Sequence, residues 1–90
     1  MCILEYLTCW PYEKRKVGFN VINRIAISTV EVPDGILPYE TAIRYIDGEW
    51  KIIFNYLDKQ KAALGHMFIC FLVLKGATVE SFEGIDNIAW

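Results

Sequence analysis

Asp47-Gly48 stands between two runs that alternate polar and apolar residues, 39–45 and 50–56. No other feature constrains the chain as tightly. Alternation with period two is the pattern of a half-buried strand, and Asp-Gly accepts the positive backbone angles of a two-residue type I′ turn. The pair therefore predicts a β-hairpin in which Tyr45 faces Trp50, Ile43 faces Ile52, Thr41 faces Phe54 and Tyr39 faces Tyr56, all on the core side. The opposite side then carries Arg44 beside Lys51 and Glu40 beside Asn55, with Ala42 and Ile53 between.

Upstream, Val17, Phe19 and Val21 alternate with Lys16, Gly18 and Asn20, and residues 24–32 are rich in Ile, Val and Thr. These read as two more strands, the second central, with Asn23-Arg24 a weak turn signal between them. Residues 33–38, with Pro33-Asp34-Gly35 and Pro38, form a loop before the hairpin. In residues 3–10, Leu4, Tyr6, Thr8 and Trp10 alternate as in a strand while the residues around Glu5 also suit a helix; the strand is the preferred reading, and Pro11 ends the run.

Asp58 is a good N-cap and 59–64 are good helix formers, so a helix starts there. Gly65 interrupts it. Met67 to Leu74 is eight apolar residues without a polar face, predicting a helix buried all round rather than a buried strand. In the tail, 76–90, Phe82, Ile85, Ile88 and Ala89 fall at helical spacing and could cover the greasy helix. The expected architecture is a single α+β domain over 1–90, a small antiparallel sheet of four to five strands packed by one C-terminal helix.

Composition narrows function mainly by exclusion. Hydrophobic residues make up 54% and charged residues 22%, far from the disordered regime. A net charge of -2 supplies no general attraction to phosphate backbones, so nucleic acid is not expected as a partner. Three cysteines without CxxC spacing point to a reducing compartment. The longest apolar run is far short of the roughly 20 residues that span a bilayer, so no membrane role is expected. The first residues lack the basic start of a secretion signal, which leaves the cytoplasm as the expected site.

His66 is the single histidine. It could serve as a general base oriented by Glu40 if the helix packs on the hairpin, though its ordinary role is a helix-surface histidine. A dyad with Cys70 would need a thiol that burial makes less acidic. Ser28 and Thr29 lack the surroundings of an activated nucleophile and read as strand hydroxyls. The glycines show no nucleotide-binding spacing, so no cofactor is expected. Lys14-Arg15-Lys16 reads as a solvated edge. Met67, Phe68, Phe71, Phe82 and Trp90 are the candidates for a partner or oligomer surface, terminal aromatics being good anchors.

Ile27-Ser28-Thr29-Val30, Pro38-Tyr39-Glu40-Thr41-Ala42 and Ala63-Leu64-Gly65-His66 occur in an order that resembles a family of short phage and prophage proteins without an assigned activity. In that family an ISTV or VSTV strand, an FET strand and an ALAGH helix recur. The resemblance covers about residues 15–70 and marks Ser28, Thr29, Glu40, Thr41, Gly65 and His66 as motif positions. Two departures stand out. The family's LGLDH and glycine-rich loop are replaced by Glu31-Val32-Pro33-Asp34-Gly35-Ile36-Leu37, so a histidine role there does not carry over. The family's charged helix becomes Met67 to Leu74, which implies an added packing surface.

The resemblance implies a small accessory protein acting inside a bacterial host cell. With no catalytic constellation in the sequence, the expectation is a non-enzymatic protein that binds a host protein, such as a defence or regulatory component. A self-assembling homodimer and a small hydrolase using His66 are the alternatives.

Overall fold

The computed structural model describes residues 12–32, 37–83 and 88–89. A helical turn, α1 (Tyr12–Arg15), leads into four strands, β1 (Lys16–Ile22), β2 (Ile25–Glu31), β3 (Tyr39–Tyr45) and β4 (Lys51–Tyr56), each antiparallel to the next. Helix α2 (Lys59–Leu74) lies across one face. A 3-10 turn at Val79–Phe82 follows, and the two-residue β5 (Ile88–Ala89) joins β4 in parallel. The α+β architecture read from the sequence is the one observed. The expected strand over 3–10, the loop residues 33–36, Ile85 and Trp90 lie outside the described residues.

The tight two-residue turn of this sheet is Asn23-Arg24. Ile22 pairs with Ile25, and both turn residues have positive φ, 52° and 65°. That is the type I′ geometry whose twist matches antiparallel strands. Asn tolerates it well, whereas Arg carries the steric cost of the left-handed region. Asn23 also donates its Nδ2 to the Val73 carbonyl at 3.1 Å, tying the turn to the end of α2.

At Asp47-Gly48 the expected type I′ turn is absent. Neither residue has positive φ; instead the Gly48 amide donates to the Tyr45 carbonyl at 2.8 Å, within a five-residue connection from Ile46 to Trp50. The pairs Tyr39 with Tyr56 and Thr41 with Phe54 form as expected, but the register then shifts, so Ala42 pairs with Ile52 and Ile43 with Lys51. One extra residue in β4, a β-bulge, turns both Ile53 and Phe54 towards the core and reverses the faces beyond it. Ile53 is fully buried instead of solvent-facing, while Trp50 and Ile52 leave the core face. Trp50 stacks under Arg44, whose guanidinium lies 4.8 Å from the ring centre, and Lys51 reaches Glu83 at 3.8 Å.

Asp58 caps α2 as expected, its Oδ1 accepting from the Lys61 amide at 2.8 Å. The helix runs unbroken through Gly65 for 16 residues. It stops where Gly76 takes φ 111°, with Gly76 donating to Val73 and Ala77 to Leu72, the paired bonds of a Schellman motif. The helix is not buried all round. Ala62, Gly65, His66, Ile69 and Val73 face the sheet, a spacing of one helical face, while the outer face is open.

The core lies between α2 and the sheet and is built on Ile25, Ile27, Ile43, Ile53, Phe54 and Tyr56 against Ala62, Ile69 and Val73. Phe82 joins this cluster rather than covering the outside of α2. The 3-10 turn is held by Tyr45, whose hydroxyl donates to Glu80. The basic cluster is only partly a solvated edge: Arg15 is buried and donates to the Glu31 carbonyl at 3.3 Å.

Candidate functional site

Two glycines bring α2 onto the sheet. A Cβ at Gly18 would meet the His66 ring at 2.7 Å, and one at Gly65 would overlap the Tyr56 ring, with Cζ only 2.5 Å away. Helix and strands thus approach closely enough for His66 and Tyr56 to meet the hydroxyls of Thr29 and Thr41. Both threonines are buried, on the helix side of the sheet, next to Ile27 and Ile43 of their own strands.

The result is a continuous chain of polar side chains inside the domain. His66 Nε2 lies 2.8 Å from Asn20 Oδ1, so this nitrogen carries the proton and donates. His66 Nδ1 then accepts from the Thr29 hydroxyl at 2.7 Å. Thr29 in turn accepts from Thr41 at 2.5 Å, and Thr41 from Tyr56 at 2.9 Å. Each threonine hydroxyl donates once and accepts once, Tyr56 donates, and both ring nitrogens are satisfied, all by one consistent direction. The direction needs a neutral imidazole. Burial holds the His66 pKa below its ordinary 6.5 and pushes the Tyr56 hydroxyl above 10.0, which keeps both groups uncharged.

This arrangement decides the fate of the sequence candidates. His66 is buried, not a surface histidine. Adjacent strand residues point to opposite faces, so with Thr41 inward Glu40 points away from α2. The His66–Glu40 pair therefore does not form. Nor does the Cys70–His66 dyad, since the Cys70 thiol points to Asn20 Oδ1 at 3.6 Å, the same atom that His66 uses. Partial burial raises the Cys70 pKa, against activation as a nucleophile. Of the motif positions, Thr29, Thr41, Gly65 and His66 converge on this network, while Ser28 and Glu40 alternate to the other face of the sheet. Sequence reasoning missed Asn20 and Tyr56 as members.

The second feature is the outer face of α2. Leu64, Met67, Phe68, Phe71 and Leu74 lie along it, each between 47% and 66% exposed. Their spacing of three to four residues places them in one stripe down the helix. Lys75 closes its lower end, with its ammonium 5.5 Å from the Phe71 ring centre. Met67, Phe68 and Phe71 were named from sequence as surface candidates and share this stripe. Phe82, named with them, is a core residue, and Trp90 lies outside the described residues. Leu64 and Leu74 were not named, although the same spacing that groups Met67 with Phe71 includes them. Among the described residues, no helix is long and apolar enough to cross a membrane.

Comparison with family models, with curated proteins and with solved structures yields no match to this chain.

Proposed function

We propose that the chain is a non-enzymatic protein-interaction domain whose working surface is the outer stripe of α2. The observation that carries this reading is the stripe itself: five large apolar side chains, about half or more exposed, on a helix fixed at both ends by good caps. At roughly 100 Å² each they make a patch of about 500 Å², near the upper end of what a monomeric surface shows and of the size that marks interaction sites. The polar constellation around His66 supports the same reading from the other side. Its ring nitrogens are both engaged in holding the helix on the sheet, and its hydroxyls serve one another. The setting inside a bacterial cell, as a phage or prophage accessory protein acting on a host component, rests on the short motif resemblance.

Site-specific photo-crosslinking tests the proposal. With a photoreactive phenylalanine at position 71, irradiation in bacteria is expected to give one or two discrete protein adducts, and the same group at Val21 on β1 is expected to give none. Absence of any discrete adduct from position 71 refutes it.

A further inference from the structure

Resting on that reading of the α2 stripe, we infer that its occupant is a second copy of this chain, packed antiparallel across a two-fold axis level with Ile69. A two-fold contact requires a surface that matches itself when reversed. Leu64, Met67, Phe71 and Leu74 follow one another at intervals of three, four and three residues, a sequence that reads the same in both directions. Reversal about residue 69 sets Leu64 against the partner's Leu74 and Met67 against the partner's Phe71. The thioether then meets an aromatic ring, a favourable contact for a soft, adaptable side chain.

The same spacing is the seam of a two-stranded helical pairing, in which apolar residues recur about every three and a half positions. Ile69 and Val73 face the sheet, so the copies would meet through the stripe alone, without disturbing the core. The amount of surface suffices. Two patches of about 500 Å² bury about 1,000 Å² together, the lower bound of a specific interface, and the flanking stem of Lys75 adds to it. Electrostatics does not oppose the approach at its centre, because residues 62–74 contain no acidic or lysine side chain.

Three proteins test the inference by sedimentation over a range up to about 200 µM, a span in which an interface of this size associates. Wild type is expected at twice the chain mass. Met67→Glu/Phe71→Glu is expected to be monomeric, its dissociation constant weakened by at least about 100-fold, with an unchanged far-ultraviolet circular-dichroism spectrum because both positions are exposed. Met67→Glu/Phe71→Lys is expected to recover association, since the antiparallel arrangement sets the new carboxylate at position 67 against the new ammonium at position 71 of the other copy. A parallel arrangement would set like charges together.

Monomeric wild type overturns the inference, as does a Glu/Glu variant that associates like wild type, or a Glu/Lys variant no tighter than the Glu/Glu one. A monomer that instead sediments with phosphatidylglycerol vesicles overturns it too. The two readings separate cleanly: a crosslink from position 71 to a different protein leaves the working surface standing and removes only the second copy.

Discussion

Replacing Gly65 by alanine is expected to destabilise the domain, against the usual effect of that change in a helix. In an exposed helix interior, Gly→Ala gains about 1 kcal/mol, because glycine has more backbone freedom to lose. Here the added methyl would lie 2.5 Å from Tyr56 Cζ and closer still to Cε1 and the hydroxyl. Tyr56 is fully buried and its hydroxyl donates to Thr41, so the ring has no free direction in which to yield. Overpacking of this kind costs about 1–3 kcal/mol, and pulling the hydroxyl off Thr41 costs about 1 kcal/mol more. After the helix gain is subtracted, a net loss of about 2 kcal/mol remains, a fall in Tm of about 10 °C for a chain of this size. Thermal and urea unfolding measure it. The same substitution in a Tyr56→Leu background is expected to cost less, since the crowded ring is gone, and the double-mutant cycle reads that coupling directly. A Gly65→Ala protein as stable as wild type, or more so, would refute the reasoning.

Arg24→Gly is expected to stabilise by about 0.5–1 kcal/mol, because glycine adopts φ 65° without strain; a loss of stability in urea titration counts against a type I′ turn there. Thr29→Val keeps the shape but removes the donor to His66 Nδ1 and the acceptor for Thr41, with an expected cost of about 1–3 kcal/mol in the same assay. Stability is also expected to decline as pH falls below 6.5. Above that value the ring is neutral in both states, while below it the unfolded chain binds the proton first because burial depresses the folded pKa. Urea midpoints at about pH 7.5 and about pH 5.5 check this, and a His66→Gln protein with the same decline as wild type would remove His66 as the cause.

Much of the fold was legible because local rules and packing agreed. The apolar run read as a central strand at β2, the alternation of β3, the Asp58 cap and the helix propensity of 59–64 all survive into the structure. The hairpin at Asp47-Gly48 was legible only in part. The two strands pair, but the dipeptide does not supply the turn, and the bulge at Ile53 reverses every side chain between it and the loop. Two adjacent isoleucines, Ile52 and Ile53, make the two registers nearly equivalent in apolar pattern, so burial of Trp50 was read from a pattern that permits either. What selects the observed one is visible only in three dimensions: Trp50 under Arg44, Lys51 at Glu83, and Ile53 beside Phe54 in the core. Conversely, the weak signal Asn23-Arg24 carries the tight turn, since the strands on both sides and the Asn23 bond to Val73 hold Arg24 in a conformation it does not favour alone.

The two halves of the candidate site differ in how sequence encodes them. The stripe is periodic and local to one helix, so Met67, Phe68 and Phe71 could be named without a structure; the error was to suppose that an apolar helix must be buried on every side. One face of α2 suffices for this small core, which leaves the second apolar face unexplained by folding. The polar chain, by contrast, joins Asn20, Thr29, Thr41, Tyr56 and His66 from four strands and a helix, and no spacing along the chain connects them. Only two glycines, Gly18 and Gly65, hint that helix and sheet come close there. A buried network with all its members satisfied fixes the rotation of α2 about its own axis, because turning the helix would strand His66 without Thr29 and Asn20. That fixed rotation presents Leu64, Met67, Phe71 and Leu74 outward as one straight seam, so the imidazole inside and the apolar stripe outside are two consequences of one docking geometry.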